Sequence, residues 1–306
     1  MRADGPVVIA LSGSPGSAHT LEWGAAEAAR RSARVRLVRT IDDAWQVTPW
    51  SWYPPEWGKD VDPDAAPYIA DQEATLRKRL PRLAVESRII HGQTVPCLHE
   101  QSVEAQLLVV GARPRTGRAR TGSTGVHVAA HACCPVAVIR PWRTGEPDPD
   151  TTPPASPDEV VVVGVDGSPA SIAAARVAAR EAAMRSLPMT IVHVRPTIAD
   201  PYGYGPRPPV STAGGDDPSH RAVATIADAL RAENLLLDVR LVLTDDDPAD
   251  ALVRLAHRAA LLVVGSRGLG TFQGMLLGSV SSAVIRESSC PVLVVHDDGS
   301  AGPMRT

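Results

Sequence analysis

Lysine is almost missing from this 306-residue chain: Lys59 and Lys78 are the only two, and the second half has none. A P-loop kinase or ATPase needs a lysine on the transferred phosphates within a Walker A sequence, and neither is present there, so that chemistry is excluded. The other 29 basic residues are arginines, a skew of composition rather than of chemistry. Cysteine is scarce as well. Four residues, two of them the neighbours Cys133 and Cys134, make no disulfide framework in a chain of this length, and reduced thiols are expected. No apolar run reaches the 18 residues of a membrane span, and the short run Val7–Leu11 lacks the core and cleavage pattern of a secretion signal. A cytoplasmic location without membrane contact is expected. Neither sign of charge predominates: 31 Lys and Arg stand against 34 Asp and Glu, net −3, which creates no field for nucleic acid. With 44% hydrophobic residues the composition is that of a soluble globular protein.

What the chain does contain is a repeat. Val7-Val8-Ile9-Ala10-Leu11-Ser12-Gly13-Ser14-Pro15 returns as Val161-Val162-Val163-Gly164-Val165-Asp166-Gly167-Ser168-Pro169, 154 residues later. Leu107–Gly111 returns as Leu261–Gly265 at the same offset, and Cys134-Pro135-Val136 as Cys290-Pro291-Val292 at 156. Two homologous domains of about 150 residues follow, each large enough for its own core. The acidic stretch from Pro141 to Asp158, with prolines at 141, 147, 149, 153, 154 and 157, forbids regular structure and reads as the linker. The expected domains are 1–142 and 159–298, with residues 143–158 between them.

In the second half, Val160–Val165 is a continuous apolar run of strand length, followed by Ser168 as an N-cap and Pro169 at the first helical position. Met189–Val194 and Val239–Leu243 read as further strands, His220–Glu233 as a helix, and Asp247-Pro248 as the start of another. Strand Leu261–Val264, a helix from about Ser279 to Glu287 and strand Val292–His296 complete the unit. Val, Ile and Leu without polar alternation mark strands buried on both faces, hence a parallel sheet between helix layers. The predicted fold is α/β: two tandem doubly wound domains, each a five-stranded parallel sheet of order 3-2-1-4-5 with helices on both faces. Ligands of such sheets sit where the winding reverses, at the carboxyl ends of the strands, which brings Asp166 and Gly265 to one crevice.

Behind Leu261–Val264 comes Gly265-Ser266-Arg267-Gly268, and nine residues further on Gly278-Ser279. Glycines that lead from a strand into a helix N-terminus expose backbone N–H groups and a positive helix end, the elements of a phosphate site. Taken singly these residues have plainer readings: glycine as a turn former, Ser279 as an N-cap, Asp166 as a turn residue. Together the spacing resembles the ATP-binding pattern of the universal stress protein family in its tandem form: glycine, two residues, glycine, nine residues, glycine and serine.

The resemblance covers nearly all of both repeats. It implies that Gly164, Val165 and Asp166 meet a nucleoside, that Val194 lies beside the adenine, and that Val264, Gly265, Gly268, Gly278, Ser279, Val280 and Ser281 surround ribose and phosphates; by its charge alone, Arg267 is a further candidate beside them. Chemistry agrees: glycine allows close backbone approach, and the Ser279 and Ser281 hydroxyls are placed to donate to anionic oxygen. The function it implies is a non-catalytic, ATP-binding regulator of a stress response with its nucleotide in the C-terminal domain. The competing reading is a slow ATP hydrolase or adenylyl-transfer enzyme, with Asp166 or Asp245–Asp247 holding Mg²⁺ on the phosphates. A dehydrogenase is disfavoured, since no Gly-x-Gly-x-x-Gly turn follows the first strand.

The first half keeps the scaffold and not the site. Ser12 replaces the aspartate, Pro114 stands at the second glycine, and the segment from Gly111 to Gly122 is two residues shorter than its counterpart. Weak or no ATP binding is expected there, although Gly122-Ser123-Thr124 still opens a helix. Arg113, Arg115, Arg118 and Arg120 read as a solvated loop. From resemblance, this half serves as a partner packed against the active half, and a homodimer of the whole chain is a further candidate assembly. Trp45, Trp50, Trp52, Trp57 and Tyr53 crowd an insertion between residues 42 and 71, a candidate protein-docking surface whose plainer reading is packing between domains. His127 and His131 near Cys133 and Cys134, with Cys97 and His99, superficially suggest a metal site. Cys290, the counterpart of Cys134, has no such histidines, so packing is the simpler role.

Overall fold

The computed structural model describes residues 4–42, 62–112, 124–140, 158–195, 218–257, 259–269 and 276–297. The chain divides into two units, Met1–Pro153 and Pro154–Thr306.

The first unit runs β1 (Val7–Ala10), α1 (Ser17–Arg30), β2 (Val35–Ile41), α2 (Ala65–Arg79), β3 (Val85–His91), α3 (Thr94–Glu104), β4 (Leu107–Gly111), α4 (Thr124–His131) and β5 (Val136–Ile139). Its strands lie in the order β3-β2-β1-β4-β5, every neighbouring pair parallel. The second unit repeats the plan with β6 (Asp158–Gly164), α5 (Pro169–Arg185), β7 (Met189–Val194), α6 (Pro218–Glu233), β8 (Val239–Thr244), α7 (Pro248–Leu255), β9 (Ala259–Gly265), α8 (Ser279–Glu287) and β10 (Val292–Val295). Its order is β8-β7-β6-β9-β10, again parallel throughout. Both sheets have the predicted 3-2-1-4-5 order.

The apolar runs become strands because both faces are covered. Val161, Val163, Ile191, Leu261, Leu262 and Val263 are fully buried. On one face α5 and α6 touch each other and the sheet; on the other, α7 packs on α8 and on β6 and β7. Alanines 170, 174, 175, 178, 179 and 182 give α5 a flat side that lies close on the sheet. A Cβ on Gly265 would lie only 2.8 Å from the backbone of Ala170, so β9 can end there only in glycine.

The repeat extends to details that composition does not show. Glu27 and Glu181, 154 apart, are buried carboxylates paired with Arg31 and Arg185 one helical turn on. Ser32 and Ser186, at the same offset, both take the left-handed conformation behind the first helix of their unit, with φ of 51° and 54°.

Several boundaries differ from expectation. β6 ends at Gly164, with Val165 N still donating to Val192 O of β7 at 2.9 Å, so Asp166 lies beyond the strand. Asp158, expected in the linker, opens β6. Residues 65–71, expected to belong to the insertion loop, form the first two turns of α2, anchored by buried Ala65 and Ile69. The rest of the linker, the tryptophan cluster at 45–57 and the first-half loop with Pro114, Gly122 and Ser123 lie outside the described residues. Among the described residues no helix is long and apolar enough to cross a membrane.

Candidate functional site

The ends of β6, β7 and β9 and the start of α8 surround a cavity of about 440 Å³ at the winding reversal of the second sheet. That volume falls in the range of small-molecule sites. Gly164, Val165, Asp166, Val194, Val264, Gly265, Arg267, Gly268, Gly278, Ser279, Val280 and Ser281 all line it, so every residue predicted to bind is brought to one place.

One end is apolar. Val165, Val192 and Val194 from the strand ends, with Pro248 and Leu252 from α7, form its wall. A Cβ on Gly164 would lie 2.9 Å from Leu252 Cδ1, so a side chain there would push Leu252 aside. The register pairs Val194 with Thr244, and Arg195 N donates to Thr244 O at 2.9 Å. In a parallel ladder this alternation turns the amide and carbonyl of Val194 to the opposite edge of β7, past the end of β6. Val165 offers no such backbone groups: its N–H donates to Val192 O at 2.9 Å, and its carbonyl takes His193 Nδ1 at 2.8 Å.

The other end is the start of α8. Gly278 is its N-cap and no side chain of the described residues caps it, whereas α5 is capped by Ser168 and α7 by Asp247 Oδ1, which accepts from Ala249 N at 2.9 Å. The first helical bond is Ser282 N to Gly278 O, 3.0 Å, so the amides of Ser279, Val280 and Ser281 precede the ladder and their partial positive charge gathers at the cavity. Ser279 is exposed at this end and Arg267 is exposed beside it. Ser281 departs from expectation: its hydroxyl donates to Gly265 O at 2.6 Å and is buried, so its proton closes the loop instead of facing the cavity.

Asp166 also turns inward. Oδ1 accepts from Ser168 N at 2.9 Å and Oδ2 from Leu269 N at 3.0 Å. Burial by itself would raise this carboxyl; the Ser168 hydroxyl and amide, the Leu269 amide and the Ser171 hydroxyl outweigh it and hold it below the ordinary carboxylate range. The aspartates proposed for a metal are engaged too: Asp245 with Arg195, Asp246 with Arg254 and Thr244, Asp247 with the α7 cap. Among the described residues no three His, Cys, Asp or Glu side chains converge as a metal site.

In the first unit Ser12 donates to Ser14 Oγ at 2.9 Å, and Arg39 covers Gly13, where a Cβ would be 2.6 Å from its Nη1. Arg39 pairs with Asp62 and lies 5.6 Å from the centroid of Tyr68. It occupies the register position that His193 holds in the second unit, a difference the motif comparison missed. Near α4, Cys133 is exposed with Sγ 4.0 Å from His99 Nδ1, while Cys134 is buried and its thiol is pushed up to about 12 by burial and by the neighbouring Cys133.

Sequence reasoning also missed Ser171, Val192, Pro248 and Leu252 as lining residues. Ser171 had a signal, since it stands three residues after the predicted N-cap Ser168, whose hydroxyl accepts its amide. Leu252 had none, because an apolar residue on an amphipathic helix reads as core.

Tandem doubly wound domains with a glycine loop at the switch point define a class of α/β proteins. The model of the universal stress protein family matches residues 5–140 and 159–296. A universal stress protein of Mycobacterium tuberculosis is 33% identical over 305 residues, covering 95% of this chain and 96% of its own; a second from that species is 31% identical over 312 residues, covering 95% and 94%. A solved universal stress protein from Archaeoglobus fulgidus shares the fold with a TM-score of 0.69 at 18% identity, over 96% of each chain. The chain belongs to the universal stress protein family.

Proposed function

We propose that this protein is a nucleotide-dependent regulator of a stress response, holding one ATP per chain in the crevice of its second unit. The observation that carries the reading is the uncapped N-terminus of α8 facing a cavity whose opposite wall is apolar. Phosphates suit the amides of Ser279, Val280 and Ser281 with the Ser279 hydroxyl and Arg267 alongside. The base suits Val165, Val192, Val194, Pro248 and Leu252, with the Val194 amide and carbonyl as donor and acceptor for its edge.

The cradle fits the nucleotide at Gly278 in particular. Among the described residues an added Cβ there meets nothing nearer than 3.6 Å, so their packing does not demand glycine and the space is left to the cavity. The carboxylates around the site are committed to amides and arginines, which favours binding over a metal-assisted hydrolysis built on Asp166 or Asp245–Asp247. The resident nucleotide supplies a charged, removable wedge between β7 and α8, and occupancy regulates through whichever conformation it binds more tightly.

Equilibrium dialysis of the full chain with ATP tests this: one equivalent bound, lost in Gly278→Ala/Ser279→Ala, is the expected result. Undiminished binding in that variant discards the assignment. Labelled ATP incubated with Mg²⁺ and then with chelator separates the competing reading, since metal-dependent turnover above a heat-killed control makes the protein an enzyme.

A further inference from the structure

We infer that Asp166 is a positioning residue that fixes the glycine loop, and that position 268 is glycine on account of Asp166 rather than of a ligand. The pairing stands on geometry alone; its consequence for affinity rests on the nucleotide reading above.

The Asp166 carboxylate bridges two loops that are 103 residues apart. Oδ1 closes the turn into α5 through Ser168 N, and Oδ2 reaches Leu269 N in the loop behind β9. A second tie runs the same way, Ser168 Oγ donating to Arg267 O at 3.3 Å. A carboxylate that accepts two backbone amides holds both firmly.

Gly268 lies directly against this bridge. A Cβ there would sit 2.5 Å from Asp166 Oδ2, and the next described atom, at 3.7 Å, is Cγ of the same carboxyl. Its φ lies outside the left-handed region, so the backbone itself accepts alanine. The two other glycines of the described part of the loop differ: Gly265 is confined by the backbone of Ala170 and Ser171, and Gly278 has only ordinary contacts with described atoms. Of the three, Gly268 is the one whose missing side chain is dictated by an acidic group.

The chain carries its own control. In the first half Ser12 stands in place of the aspartate, and three residues after Gly111 comes Pro114 in place of glycine. Both members of the pair change together. With the carboxylate gone, the reason to exclude a side chain is gone as well.

The test is a double-mutant cycle on the full chain, combining Gly268→Ala with Asp166→Ser, the residue found in the first half, or with Asp166→Ala should the serine variant not fold. Without nucleotide, Gly268→Ala lowers the melting temperature by about 4 °C or more in the native background and by less than about 1 °C once Asp166 is replaced. Exchange of the Leu269 amide accelerates at least about tenfold in the Asp166 variant. With ATP, each single variant binds about tenfold more weakly or worse, and the double variant no more weakly than the Asp166 variant. Additive losses in melting temperature overturn the inference, as does lost affinity with unchanged Leu269 exchange, which makes Asp166 a ligand contact. A native chain that binds no ATP discards the nucleotide reading instead, while melting and exchange still decide the pair.

Discussion

Ser281 Oγ donates to the carbonyl of Gly265 at 2.6 Å, tying the first turn of α8 to the last residue of β9, while Ser279 two residues earlier stands exposed at the cavity. On the proposed nucleotide site, the two hydroxyls are expected to separate stability from binding. Ser281→Ala leaves a buried carbonyl without its partner and costs about 1–3 kcal/mol of unfolding free energy. Ser279→Ala leaves the unfolding midpoint within about 1 °C and weakens ATP binding several-fold. Thermal melts and an ATP titration on both variants check this.

The glycines divide in the same manner. Gly265→Ala forces a Cβ to 2.8 Å from the Ala170 backbone and is expected to cost about 1–3 kcal/mol through overpacking. Gly278 has φ −70° and ψ 159°, open to any residue, so Gly278→Ala keeps the fold and reduces ATP affinity by about tenfold or more. Circular dichroism melts with parallel dialysis distinguish the two outcomes.

Acid stability reports on Asp166. Its carboxyl lies below the ordinary value of about 4, so the folded state gives up the proton more readily than the unfolded chain. The stability this contributes is complete above that ordinary value and is lost as pH falls through the lower folded one. Urea unfolding of the native chain and Asp166→Ala as a function of pH is expected to show a gap that is constant near neutrality and closes toward acid.

The thiols behave in opposite ways. Exposed Cys133 is expected to react with a thiol reagent in the folded protein, whereas Cys97, Cys134 and Cys290 react only after unfolding. Burial raises Cys134 to about 12 and Cys290 to about 11, so between the ordinary thiol value and these the folded state retains protons the unfolded chain has lost. Stability accordingly falls as pH rises through that window. Mass spectrometry of labelled protein and alkaline unfolding curves are the measurements.

The parallel sheets were legible because Val161–Val163 and Leu261–Val264 lack any polar alternation, which only a strand covered on both faces tolerates. The caps at Ser168 and Asp247 were legible because capping chemistry is local. Glycine spacing marked the crevice, since strand–loop–helix geometry brings residues of one loop together whatever packs behind them. Leu252 and Arg39 were not legible: one reaches the cavity from a helix distant in sequence, and the other differs from His193 at a strand position that no motif covers.

The order of residues alone established a duplicated α/β unit, the parallel sense of its strands and the place of the glycine loop, because periodicity and turn chemistry act over a few positions. Tertiary structure decided which polar atoms remain available to a ligand. Whether Ser281 keeps its proton for the cavity, or Asp166 its charge, depends on Gly265, 16 residues away, and on Leu269, 103 residues away, at distances near 3 Å that no local pattern encodes.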